Sequence, residues 1–180
     1  MQLILRDALP SVSDGLMRLR MDSTDNRILG DPGTPAFQLE RYPFFQLNRL
    51  VSRYNAVIEA HLRAIGIDIP SWRVLMILGE HGPRGVRDIA DAAVIPLSTM
   101  TRIIQRMAQA GLVISRPSAA DGRVTEVLLA RAGEDKLVQA RKATSPVYRQ
   151  VIRGLSEADF NTLLALLGQL HGNLVDEPEA

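Results

Sequence analysis

The run from Val86 to Arg131 leaves this chain few ways to fold. It reads VRDIADAAVIPLSTMTRIIQRMAQAGLVISRPSAADGRVTEVLLAR. Ile89, Ala90 and Ala93 share one face of a short helix predicted over 87–93. Val94-Ile95-Pro96 breaks that helix, because proline lacks the amide donor and pushes its predecessor out of the helical region. A second helix is predicted over 97–110. Its apolar residues Met100, Ile103, Ile104 and Met107 recur at helical spacing, with Ser98, Thr99, Thr101, Arg102, Gln105 and Arg106 on the other face. Gly111 ends it as a glycine beyond the last turn. Two strands follow over 112–116 and 123–130, joined by the turn-rich Pro117-Ser118-Ala119-Ala120-Asp121-Gly122.

Helix, turn, polar-faced helix and a hairpin with arginine near its tip is the order of a winged helix-turn-helix. The polar face suits a DNA major groove, and the hairpin suits an adjacent minor groove. The details of the run sharpen this. Leu97-Ser98-Thr99-Met100-Thr101-Arg102, then Ala110-Gly111-Leu112-Val113, then Asp121-Gly122-Arg123 and Arg131-Ala132-Gly133 resemble the MarR family of transcriptional regulators over roughly 44–174. The resemblance implies a mainly α fold with a small β-wing, in which a winged helix-turn-helix lobe joins a helical dimerisation platform. Alanine at 130 stands where that family often has a hydroxyl residue, so the next helix starts without a good side-chain cap. Ser115 stands where the family often has a second basic residue beside Arg116.

Charge is informative only locally. The net charge is +1, but within 97–131 Arg102, Arg106, Arg116, Arg123 and Arg131 face only Asp121 and Glu126. A basic surplus at the reading head is what phosphate neutralisation requires. The chain has no cysteine, which removes disulfides, thiolate metal sites and thiol catalysis. No apolar run of about 18 residues suggests a membrane span, and the opening MQLILRDALP is too short for a secretory signal. A cytoplasmic location is expected.

Outside the head, residues 1–41 read as an extension with loop composition, either a flexible arm or an arm across a partner subunit. Residues 42–180 read as a single domain of the resembled type, with 70–130 as the DNA-binding lobe and 42–69 and 131–175 as dimerisation helices. A helix over 42–66 carries a broad apolar stripe that needs more than one neighbour. Ser71 is expected to cap the next helix, through about His81, and residues 85–86 to add a third strand beside the wing. The long helix after the wing contains Pro146, where a kink is expected. Ser156-Glu157-Ala158-Asp159 resembles a capping box for the leucine-rich last helix. These terminal stripes exceed what one lobe can cover, so pairing with a second copy is expected. A two-fold dimer in turn predicts a pseudo-palindromic site on double-stranded DNA.

Roles follow for single residues. Ser98 and Thr99, at the start of the reading helix, are placed to bind phosphate or to cap the helix. Thr101 and Arg102 point toward base edges, and arginine pairs bidentately with guanine. Gln105 and Arg106 lie a turn further, nearer the DNA backbone. Arg116 adds to the basic surface, and Arg123 is the candidate for the minor groove. Asp121 is expected to hold the wing's shape through an arginine. The resemblance also implies a repressor released by a small ligand, often an aromatic acid or phenol, bound between the dimer helices and the lobe. Tyr54, His61, Trp72, Arg73 and Met76 are its candidate contacts, with Arg73 set to pair with a carboxylate.

Two other classes are open to the sequence. One is a winged-helix protein-interaction adaptor without DNA binding, which the polar arginine-bearing face disfavours. The other is an enzyme. The three histidines, His61, His81 and His171, lack metal spacing, and no nucleophile elbow or phosphate-binding glycine loop occurs. No metal, cofactor or catalytic activity is expected.

Overall fold

A computed structural model describes residues 25–117 and 125–175. The chain divides into two compact units, residues 1–54 and 55–180. In the first, a one-turn helix α1 (Asn26–Leu29) is capped by Asp25, whose carboxylate accepts from the Arg27 amide. A 3-10 turn, Leu39–Arg41, leads into the long helix α2 (Pro43–Ala64). Tyr42 lies edge-on to both Phe37 and Phe44, with ring centroids 5.9 and 5.5 Å away. The Gln38 amide donates to the Leu29 carbonyl at 2.8 Å, so the segment closes on itself. The rest of the expected N-terminal extension lies outside the described residues.

The second unit holds the remaining elements: α3 (Ile69–His81), β1 (Arg84–Gly85), α4 (Val86–Ala93), α5 (Leu97–Gln109), β2 (Val113–Pro117), β3 (Thr125–Leu129), α6 (Arg131–Val151) and α7 (Glu157–Val175). They form a mainly helical body with one small antiparallel sheet, ordered β1-β3-β2. Ser115 pairs with Val127 and Arg116 with Glu126 across β2 and β3. Strand β1 pairs Arg84 with Val127, one residue earlier than the sequence suggested. Ile58, Leu62, Val74, Leu75, Ile89, Met100, Met107 and Val127 build the centre of the core. Each lies on the apolar face that periodicity assigns to its element.

Helix α3 begins three residues earlier than expected. Its cap is Asp68 rather than Ser71: the carboxylate Oδ1 accepts from the Ser71 amide at 2.9 Å. Pro70 fits this first turn because the amide it lacks would have had no helical partner there. Between α4 and α5 the turn rests on Val94 as much as on Pro96. Val94 adopts a left-handed conformation, φ 53°, while the Ile95 amide reaches back to the Ala90 carbonyl at 3.0 Å. That position ordinarily takes glycine, and a β-branched residue there stores strain. At the end of α5, Gly111 takes the same left-handed turn, φ 70°, as anticipated.

Helix α6 starts at Arg131 with no side-chain cap from Ala130, in line with alanine at that position. It continues past Pro146 to Val151 as one helix. Gly133, in its first turn, is buried against the backbone of Leu112, and a Cβ there would fall 2.0 Å from the Leu112 carbonyl oxygen. The same carbonyl accepts from the Ala130 amide at 3.1 Å. Helix α7 opens on the expected reciprocal cap. The Asp159 amide donates to Ser156 Oγ at 3.1 Å, and the Ser156 amide to Asp159 Oδ2 at 3.3 Å. No side chain described in α7 is buried, and Leu163, Leu164, Leu166, Leu167, Leu170 and Leu174 are all exposed.

Candidate nucleic-acid interface

Helix α5 turns Met100, Ile103, Ile104 and Met107 into the core and leaves Ser98, Thr99, Thr101, Arg102, Gln105 and Arg106 exposed. At about 100° per residue, Ser98, Arg102 and Gln105 fall near the middle of the exposed face, with Thr101 and Arg106 on opposite flanks. The Thr101 hydroxyl donates to the Leu97 carbonyl at 2.9 Å, so it retains only acceptor capacity for an outside partner.

The two flanks are built differently. On the Thr101 side lies an open cleft of about 770 Å³, lined by Gly85, Val86, Arg87, Asp88, Leu97, Thr101, Ile104, Gln105, Ser115 and Thr125. It joins the reading helix to the base of the wing. Arg87 and Arg84 are exposed at this edge, and neither was singled out in the sequence. The signal was there in Arg84-Gly85-Val86-Arg87, but it acquires meaning only once β1 pairs with β3. On the other flank, Arg106 Nη2 lies 2.6 Å from Asp68 Oδ2 and 3.3 Å from Ser71 Oγ. Partial burial of Asp68 opposes ionisation. Hydrogen bonds from Ser71 and the nearby Arg106 outweigh it and hold the carboxyl below its ordinary range.

Other members of the basic set are also engaged. Arg116 Nε donates to Glu126 on the neighbouring strand at 3.0 Å. Arg131 pairs with Glu134 and Asp135 in the first turn of its own helix. Arg102 makes no ion pair with another described residue. The local basic surplus is therefore smaller in effect than the residue count implied. Arg123 and Asp121, the two wing-tip candidates, lie outside the described residues.

Three of the five candidate ligand contacts come together. Trp72, Arg73 and Met76 line a cleft of about 450 Å³ with Ile77, Ala92, Ala93 and Val94, between α3 and the end of α4. Arg73 Nη1 reaches the Ala93 carbonyl across it at 3.3 Å. Trp72 Nε1 is buried without a partner among the described residues. His61 is exposed on α2 and does not line this cleft. Tyr54 belongs to the first unit, and burial pushes its phenol up.

Comparison with known proteins decides the class. A family model described as MarR family matches residues 65–124. The HTH-type transcriptional repressor IacR of Pseudomonas putida is 37% identical over 144 residues, 80% of this chain and 86% of that one. The chain belongs to the MarR family. As a MarR member it is a DNA-binding transcriptional regulator and not an enzyme. A MarR-family regulator from Silicibacter pomeroyi shares the fold at a TM-score of 0.73 and 23% identity, covering 81% of this chain and 97% of that one. BpsR of Bordetella bronchiseptica, whose DNA binding is regulated by 6-hydroxynicotinic acid, superposes with a TM-score of 0.65 at 20% identity, over 82% of this chain and all of that one. Among the described residues, no helix of this MarR chain is long and apolar enough to cross a membrane, and no group of three or more side chains has metal-site geometry.

Proposed function

We propose that this chain is a cytoplasmic repressor that binds a pseudo-palindromic operator as a homodimer and is released by a small aromatic or phenolic ligand. The observation that carries this is the polar face of α5 beside an arginine-bearing hairpin, on a body whose last helix leaves its leucines uncovered. Ser98, Thr99, Thr101, Arg102 and Gln105 meet the major groove, with Ser98 and Thr99 nearest phosphate at the helix start. Arg116 and Arg123 serve the wing. Arg106 stands apart, because Asp68 and Ser71 already hold its guanidinium. The exposed leucines of α7 supply apolar surface for a second copy. On this reading residues 42–69 and 131–175 serve pairing and 70–130 serves DNA.

On this reading the effector binds at the cleft of Trp72, Arg73 and Met76. Its wall is largely apolar with one guanidinium, which suits a planar ring bearing an acidic group, and the buried indole N–H of Trp72 has no partner among the described residues. The cleft lies against α4, the helix immediately before the reading helix. A ligand that favours one setting of α4 therefore changes the affinity for DNA, and DNA changes the affinity for ligand by the same factor. His61 and Tyr54, both on α2, do not line this cleft.

Titration of the full chain against the DNA upstream of its own gene, by fluorescence anisotropy at several salt concentrations, tests the DNA reading. The expected result is a linear fall of log affinity with log salt, and a preference for the upstream sequence over scrambled DNA. Arg102→Ala is expected to cost about 1–3 kcal/mol at particular base pairs. Binding that ignores both salt and sequence overturns the reading.

A further inference from the structure

From the contacts at the far end of the reading helix, we infer that Asp68 and Arg106 form a clasp that sets the pose of α5, and that Arg106 acts on DNA through that pose rather than by touching it. The inference rests on the DNA-binding reading above.

Asp68 has two tasks at once. Oδ1 caps α3 by accepting from the Ser71 amide at 2.9 Å, and Oδ2 holds Arg106 Nη2 at 2.6 Å. The same guanidinium nitrogen reaches Ser71 Oγ at 3.3 Å. Among the described residues, this is the only ion pair that ties α5 to the start or body of another helix. It closes one wall of a cleft of about 440 Å³ shared with Arg63, Ile67, Met107 and Leu112.

Position explains why such a tie matters. Recognition helices of this kind read bases with their N-terminal residues. Arg106 is in the last turn, on the flank that faces α3, one turn beyond Arg102. The opposite flank opens on the cleft below the wing and offers no comparable ion pair among the described residues. Helix α5 rests its apolar face on α3, α4 and β2, and the clasp adds a directed bond on the α3 flank that opposes roll about the helix axis. Roll displaces Thr101 and Arg102 relative to base edges while leaving the number of phosphates in reach nearly unchanged. Loss of the clasp therefore lowers sequence preference first.

The experiment measures operator and scrambled-DNA affinity of the full chain across a salt series for Arg106→Ala, Arg106→Lys, Asp68→Asn and the double variant Asp68→Asn/Arg106→Ala. Arg102→Ala is the control. Asparagine caps a helix about as well as aspartate, so Asp68→Asn removes the charge without removing the cap. The expected outcome is about fivefold weaker operator binding for Arg106→Ala and for Asp68→Asn, with the double variant no weaker than either single one. Scrambled DNA should be bound as before, the salt slope should match that of the parent, and Arg106→Lys should recover most of the loss. A slope reduced by about 0.9 in Arg106→Ala, together with tighter binding in Asp68→Asn, overturns the inference: Arg106 is then a phosphate contact that Asp68 competes for. Weakening in Arg102→Ala with no change in the Asp68 and Arg106 variants also overturns the clasp, and leaves the docking intact. No change in any variant, Arg102→Ala included, rejects the docking itself and the clasp with it.

Discussion

Helices α5 and α7 both place apolar residues at helical spacing, and they end in opposite situations. Helix α5 sinks Met100, Ile103, Ile104 and Met107 into the core of its own chain. Helix α7 sinks none of its described side chains, although it carries six leucines. An amphipathic pattern thus states that a face must be covered without stating what covers it. Around α5 the cover is supplied by α3, α4 and β2 of the same chain. Around α7 it must come from elsewhere, and a second copy is the economical source.

The sharpest way to break that contrast is to charge the outer face of α7. Leu163→Asp combined with Leu167→Asp, one turn apart, should turn the chain into a monomer by analytical ultracentrifugation and weaken operator binding roughly 100-fold or more, because two tethered heads are lost together. A chain that stays dimeric would show that α7 is covered in some other way. Next in size, Met107→Ala opens a cavity under the reading helix, where the side chain is 1% exposed. It should lower stability by about 2–5 kcal/mol in urea titration. A small loss would mean that α5 is held less by its own core than the burial suggests. The mildest probe is Ser156→Ala, which removes the cap at the start of α7 and should cost about 1 kcal/mol, read as a lower melting temperature. If α7 is firmly held by a partner copy, that loss should grow smaller as protein concentration rises.

Much of this arrangement could be read from the residues alone, because its signals are local. The stripe of Met100 to Met107, the stop at Gly111 and the reciprocal cap of Ser156 and Asp159 each lie within a few residues, and each appears where periodicity and turn chemistry place it. What escaped depended on distance along the chain. The cap at Asp68 is hidden by Pro70 two residues on, although a proline in a first helical turn is well tolerated. Its bond to Arg106 spans 38 residues, which no local pattern announces. Arg106 was consequently read with the other arginines of the polar face. Arg84 and Arg87 were missed for a related reason, since their edge exists only after β1 has found β3. The candidate ligand residues fared unevenly. Trp72, Arg73 and Met76 share one helix and converge, whereas His61 lies on another helix and outside that lining.

The glycine at position 133 has a mechanical consequence. With no room for even a methyl group between the first turn of α6 and the Leu112 carbonyl, the long helix is butted directly onto the strand that leads to the wing. There is no slack at that joint. A tilt of α6 is therefore expected to carry Leu112 and the start of β2 with it, like an oar fixed in its lock.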